Sequence, residues 1–303
     1  MIILVKTMKK RILTIGPVTK DYIITPSEEY YQTGGAVFYQ NHTLHQLKEK
    51  TSSIISIGEN DLKLLDDMPK NIKVQKIIYK QTTQYTNIYN EKLERKQKAI
   101  LPHNPIKSNQ IKLNLKDIHT AIISPLSPYD IPDATITYLK KEDIKTVLLP
   151  QGYLRQTNAQ QEVISRKWIQ KEKYLEDTDI LCLDENEFMQ TFNTTLDNAN
   201  KIVEKYNLKL LIVTRAKKGS IIFTNKDKIS IPSIKTNCEV DATGLGDTYI
   251  SAFISKYKQT KSPKISGLYA AITAKEKLEN KGPLKTDKKR IEEELEEILH
   301  KHG

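Results

Sequence analysis

The sequence predicts an α/β protein built on a doubly wound, mostly parallel sheet flanked by helices, with a small β-sheet lid. Six short apolar runs, at residues 12–15, 54–57, 121–124, 146–149, 180–183 and 210–214, lack polar alternation and have the length of strands buried on both faces. The stretches between them are long enough for crossover helices, which is the pattern of a parallel sheet. Residues 74–101 depart from it. They are rich in Thr, Tyr, Ile and Lys and alternate with period two around Thr83, Tyr85, Asn87 and Tyr89, which predicts a solvated antiparallel hairpin that pairs with residues 22–31.

Taken along the chain, the first strand leads to a glycine pair at 34 and 35 that opens a helix within residues 32–50. Helices are expected at 159–176 and 185–206. A further helix follows residues 244–246, where Ile250, Phe253, Ile254 and Tyr257 recur at helical spacing. At the C-terminus Ile291, Leu295, Ile298 and Leu299 stand at i, i+4, i+7 and i+8, an amphipathic helix packed on the body. No repeat or long linker interrupts the chain. One domain over residues 1–303 is expected, with segments 18–33 and 74–101 inserted as the lid.

Composition narrows the function. A chain of 303 residues is long enough to bury a large core. The net charge of +11 suits a nucleic-acid binder or a protein that handles anions, but the lysines are spread from Lys6 to Lys301. Lys288, Lys289 and Arg290 sit beside Glu292, Glu293 and Glu294, so no basic block forms and nucleic acid is not the expected partner. Apolar runs such as 210–213 are strand-sized, and no membrane contact is expected. Lys6, Lys9, Lys10 and Arg11 interrupt the N-terminal apolar run, against a secretory signal. The two cysteines, Cys182 and Cys238, make neither a disulfide framework nor a Cys-rich zinc site, and the expected compartment is the cytoplasm.

The chemistry concentrates in Asp241-Ala242-Thr243-Gly244-Leu245-Gly246-Asp247. The two glycines sit where a loop turns into a helix, and a helix start offers unpaired N–H groups and the positive end of the dipole to an anion. Asp247 lies at the mouth of that site. A carboxylate there repels a resident anion, but beside a transferring phosphoryl group it can orient and deprotonate an attacking hydroxyl; otherwise it is an ordinary first-turn acid. His42 and His45, three apart on a helix, have no third metal ligand nearby. No Gly-x-Ser-x-Gly or Gly-Lys-Ser/Thr motif occurs, which removes the main support for a serine hydrolase or a Walker-type nucleotidase.

The segment DATGLGD resembles the D-T-x-G-A-G-D signature of the ribokinase-like (PfkB) carbohydrate kinases, and other features line up along almost the whole chain. The segment 16–21 (GPVTKD) resembles the first-strand turn whose Asp contacts substrate hydroxyls. Gly34-Gly35 resembles the glycine pair flooring the sugar pocket, and 57–61 (IGEND) the Gly-x-Asp element. Residues 81–89 resemble a lid strand. The stretch 150–155 (PQGYLR) resembles a Pro-Gln-Gly-Phe-x-Arg stretch of archaeal-type members, and 184–187 (DENE) the Asn-x-x-Glu motif.

The resemblance implies an ATP-dependent phosphotransferase acting on a hydroxyl of a sugar, polyol or nucleoside. Asp247 would be the base, and Gly244, Leu245 and Gly246 the anion hole. Glu187 would hold Mg²⁺ through water, with Asp184 beside it; Thr214, Arg215 and Gly219 would line the nucleotide pocket. Asp21, Gly34, Gly35, Gln151 and Arg155 would hold the acceptor. Departures from the family pattern are Ala216 where Gly is usual, Leu149 where Asp often precedes the Pro-Gln-Gly stretch, and Ala36 to Asn41 in place of Lys-Gly-Ala-Asn. Asp184 replaces the usual Asn and either approaches Mg²⁺ more directly or satisfies a local turn. An idle metabolite sensor, a kinase for a sugar phosphate and a donor other than ATP stay open. So does a homodimer through the lid.

Overall fold

The computed structural model describes residues 10–91, 95–236 and 238–302. In chain order the elements are β1 (Arg11–Pro17), β2 (Thr19–Ile24), β3 (Glu29–Gly34), α1 (Ala36–Gln46), β4 (Thr51–Gly58), β5 (Lys73–Tyr79), β6 (Thr83–Tyr89), β7 (Arg95–Ile100) and β8 (Ile118–Ile123). They continue with α2 (Asp133–Lys141), β9 (Lys145–Leu148), β10 (Arg155–Thr157), β11 (Val163–Ser165), α3 (Lys171–Leu175), β12 (Ile180–Asp184), α4 (Glu185–Phe192) and α5 (Ala199–Lys205). The last are β13 (Leu210–Thr214), β14 (Ser220–Phe223), β15 (Lys228–Ile231), α6 (Leu245–Thr260), α7 (Pro263–Leu278) and α8 (Lys288–His302).

Among the described residues the main sheet has nine strands in the order β15-β14-β13-β12-β9-β8-β1-β4-β5. Its pairs are parallel from β13 to β5, and β14 and β15 add an antiparallel edge. All six predicted apolar runs fall on this sheet. Their lack of alternation has the expected cause: Leu13, Ile15, Leu181 and Leu183 pack into one core with α2 to α5, while Ile12, Ile180 and Cys182 pack into another with α1, α6, α7 and α8.

The second sheet, β3-β2-β6-β7, stands apart from the first. As expected, β6 pairs with β2, in parallel register from Thr19–Thr83 to Ile24–Ile88. Thr83, Tyr85 and Asn87 are its buried faces, so the period of two was legible.

Three expectations need correction. Residues 74–79 are not part of the hairpin: β5 joins the main sheet beside β4, where Ile77 turns to the core and Ile78 is exposed at the edge. The helix expected over 159–176 is a β10–β11 hairpin followed by the single turn of α3. Asn158 accepts the N–H groups of Gln160 and Glu162, and Gln161 is left-handed at φ 61°, so turn chemistry overrides the helix propensity of this stretch. The helix expected over 185–206 breaks because Asn193 ends α4 in a left-handed conformation at φ 51°. In α8, Ile291 and Leu295 are buried as expected, whereas Leu299 is exposed.

Candidate active site

The parallel strands end on one side of the sheet, and the segments leaving β1, β8, β9, β12 and β13 surround a cavity of about 310 Å³ capped by the second sheet. Carboxyl ends of parallel strands are where open α/β sheets hold ligands. The cavity gathers Asp21, Gly35, Gln151, Arg155, Asp184, Glu187, Thr214, Gly244, Leu245, Gly246 and Asp247, which the sequence scatters over more than two hundred residues. Three predicted residues are not on its wall. Gly34 ends β3 packed directly against the Asp21 carboxyl. The Arg215 Nε donates to Glu185 Oε1 at 3.2 Å, and Gly219 closes the turn into β14 against the Ile231 carbonyl. The neighbouring Ala216, where the family has Gly, is left-handed at φ 47°, so it carries the strain a glycine would avoid.

The 244–246 turn is shaped from two sides. Gly244 is left-handed at φ 74°, and a Cβ there would collide with the Tyr39 ring. Gly246, in the first turn of α6, meets nothing within 4 Å where a Cβ would stand. Glycine in a helix costs roughly 1 kcal/mol against alanine, and no protein atom within 4 Å requires it here. The N–H groups of Gly246 and Asp247 have no backbone acceptor among the described residues.

Asp247 is held by a residue the sequence reading left without a role. Gln40, fully buried in α1, donates from Nε2 to Asp247 Oδ1 at 3.2 Å and to Ser124 Oγ at 2.7 Å. This leaves the buried Gln40 Oε1 without a partner, a cost of about 1–3 kcal/mol accepted so that the amide N–H faces the carboxylate. Burial pushes the Asp247 pKa up to about 7, and the Glu187 charge adds to that; Gln40 and Arg155 pull it back. A carboxyl poised there is suited to general-base work near neutrality.

Asp21, on β2, is likewise pushed up to about 6 by burial, with Thr19 Oγ1 donating to Oδ1 at 2.7 Å and Arg95 opposing the shift. At neutral pH it is an acceptor-only group facing the cavity. Arg95 and Gln97, from β7, complete this wall together with Tyr85 and Asn87. A lone arginine on a strand had no sequence signal to set it apart from the solvated lysines around it. Lys20 pairs instead with Asp61 at 3.1 Å, and Lys80 is exposed.

At the end of β12, Asp184 caps α4: Oδ1 accepts the Glu187 N–H at 2.8 Å, and Glu187 Oε2 accepts the Asp184 N–H at 3.1 Å. Burial, then the Asp184 charge, raises the Glu187 pKa. No group of three or more potential metal ligands occurs among the described residues. Two hard carboxylates on the cavity wall, Asp184 and Glu187, nonetheless fit Mg²⁺, which keeps most of its waters and takes few protein ligands.

The family model described as "pfkB family carbohydrate kinase" matches residues 20–290. A nucleoside kinase from Methanocaldococcus jannaschii is 36% identical over 108 residues, and that alignment spans 36% of this chain and 35% of the relative, well under two thirds of its length. The backbone is similar to that of a pyrophosphate-dependent kinase in the ribokinase family, with a TM-score of 0.80 at 24% identity over 92% of this chain and 99% of the other. It is also similar to Arabidopsis thaliana ribokinase complexed with ribose and ATP, with a TM-score of 0.74 at 18% identity over 95% and 99%.

Proposed function

The chain belongs to the pfkB family of carbohydrate kinases, and on that premise we propose that it moves the γ-phosphoryl group of ATP to a hydroxyl of a small polyhydroxylated acceptor, a sugar, polyol or nucleoside. The observation that carries this reading is Asp247, held by Gln40 at the mouth of the 244–246 turn in the cavity that also contains Asp21. Asp21 accepts hydrogen bonds from acceptor hydroxyls and, with Gly34, Gly35, Gln151 and Arg155, fixes one of them near Asp247. Asp247 takes that hydroxyl's proton as the oxygen attacks, and the N–H groups of residues 244–246 stabilise charge on the transferred group. Thr214, on the cavity wall, borders the nucleotide, and Arg215 and Gly219 shape the turn behind it. Glu187, with Asp184 beside it, would hold Mg²⁺ through water, and the ion would supply charge neutralisation on the phosphates. The second sheet excludes water that would otherwise consume the donor.

A kinase for an acceptor that already bears phosphate is the second reading, favoured by one observation: Arg95 and Arg155 both line the cavity, and guanidinium groups bind phosphate through a bidentate fork.

A screen of sugars, polyols, nucleosides and sugar phosphates with Mg-ATP, read by ADP release, tests both readings, with pyrophosphate as an alternative donor. Turnover on a neutral acceptor is expected, and Asp247→Asn is expected to lose about 10²-fold or more of it while still binding nucleotide. A preference in kcat/KM for a phosphorylated acceptor that disappears in Arg155→Ala selects the second reading. Binding without turnover on any acceptor would show an idle sensor, and near-normal kcat in folded Asp247→Asn would remove the base.

A further inference from the structure

The least expected charge in the molecule is Lys277, near the end of α7. It is 0% exposed, which for a lysine requires a dedicated partner. Its Nζ donates to the Asp241 carbonyl at 2.6 Å and lies 3.2 Å from Asp241 Oδ2. The same carboxylate accepts the Thr243 N–H on Oδ1 at 2.8 Å and the Gly282 N–H on Oδ2 at 2.9 Å. The Val240 and Asp241 N–H groups both reach the Leu278 carbonyl. Asp241 is therefore the knot that ties the loop before α6 to the end of α7. Lys277 also stands 5.8 Å from the centre of the Tyr39 ring, the ring against which Gly244 is packed.

This arrangement has an electrostatic difficulty. The loop is folded around a carboxylate, Asp241, three residues before the 244–246 turn taken as the anion hole, and a second carboxylate, Asp247, follows that turn directly. We propose that Lys277 is a positioning residue of the anion hole, a resident cation sealed beneath the 241–247 loop that lets Asp241 hold the loop's shape without repelling the anion. The proposal rests on the kinase reading only in taking the 244–246 turn as the anion hole. It assigns the two partners opposite effects. Asp241 supplies shape and unwanted charge, and Lys277 supplies the charge that offsets it.

The test is titration calorimetry of the full chain with inorganic phosphate as probe, alongside kcat with the best acceptor. Lys277→Met is expected to weaken phosphate binding about tenfold or more, because the Asp241 charge beneath the loop is then unopposed, and to lower kcat with the acceptor KM unchanged. Asp241→Asn, which keeps an oxygen for Thr243, is expected to bind phosphate as well as the wild type or better. A purely structural ion pair gives equal losses in the two variants, and that result overturns the proposal, as does Lys277→Met affinity within twofold of the wild type. Wild-type protein that binds no phosphate overturns it too. If Lys277→Met does not fold, Asp241→Asn decides alone: retained or tighter binding supports the resident cation, and weaker binding rejects it. Absence of turnover on every acceptor removes the kinase reading, while the phosphate titration still decides the role of Lys277.

Discussion

A glutamine sets the working range of the proposed base. Burial and the Glu187 charge raise the Asp247 pKa, whereas the Gln40 N–H favours its ionised form. Removing that donor leaves burial less opposed, so in Gln40→Ala the acid limb of the pH profile of kcat/KM is expected to move to higher pH, with lower activity at pH 7. An acid limb that stays in place would assign Gln40 to packing alone. The contrast between Asp247 and Gln40 also shows what the sequence could reveal. Residues 241–247 were legible because two glycines and an acid stand in one short stretch whose geometry is local. Gln40, Arg95 and Lys277 look like ordinary helix and strand residues, and their roles arise only from contacts such as the one that joins α1 to α6 across 207 positions.

The four-stranded sheet is the element with the clearest mechanical consequence. Its β6 and β7 place Tyr85, Asn87, Arg95 and Gln97 on the cavity, but its ties to the rest of the body are uneven. Tyr85 reaches the Leu126 carbonyl at 2.8 Å from the buried face and Thr33 Oγ1 in β3 donates to Asp67 Oδ2 at 2.6 Å, while the far end, at the β2–β3 turn, rests on Lys281 and Glu28, both largely exposed, at 3.2 Å. Exposed pairs of this kind contribute little, so the outer strands are expected to settle when ligands fill the cavity. Hydrogen exchange across residues 79–89 should slow on adding nucleotide and a true acceptor together; exchange that is unchanged would contradict closure. Alternation at Thr83, Tyr85 and Asn87 announced this sheet, whereas β5, a half-wetted edge strand of the parallel sheet, lacks a long apolar run because Lys73, Gln75 and Lys76 interrupt it, and so resembles the solvated hairpin. The β10–β11 hairpin was missed because its turn depends on Asn158, a polar residue in a stretch otherwise rich in helix formers.

Across the whole molecule the buried acids shape stability. Asp247 is pushed up to about 7, Asp21 and Asp130 to about 6, and Glu187 is raised as well, burial being the first cause in each. A carboxyl whose pKa is higher folded than unfolded binds its proton more tightly in the native state, so its contribution is present below the ordinary carboxylate range and lost as pH rises through its folded value. Burial lowers the His42 pKa, which gives a slope of the opposite sign near neutrality. The denaturant midpoint is therefore expected to fall between pH 5 and pH 8, and to fall less in Asp247→Asn; a midpoint that rises over that interval would contradict the burial of these acids. The span between Gln40 and Asp247 has a consequence for biosynthesis as well. Ribosomes add about 5–20 residues per second, so β2 with Asp21 and α4 with Glu187 are complete well before residue 247 is made. A nascent or prematurely released chain that stops short of α6 can bring together part of the proposed acceptor pocket but lacks the proposed base. On that reading, phosphoryl transfer waits until α6 has been translated and has docked on α1.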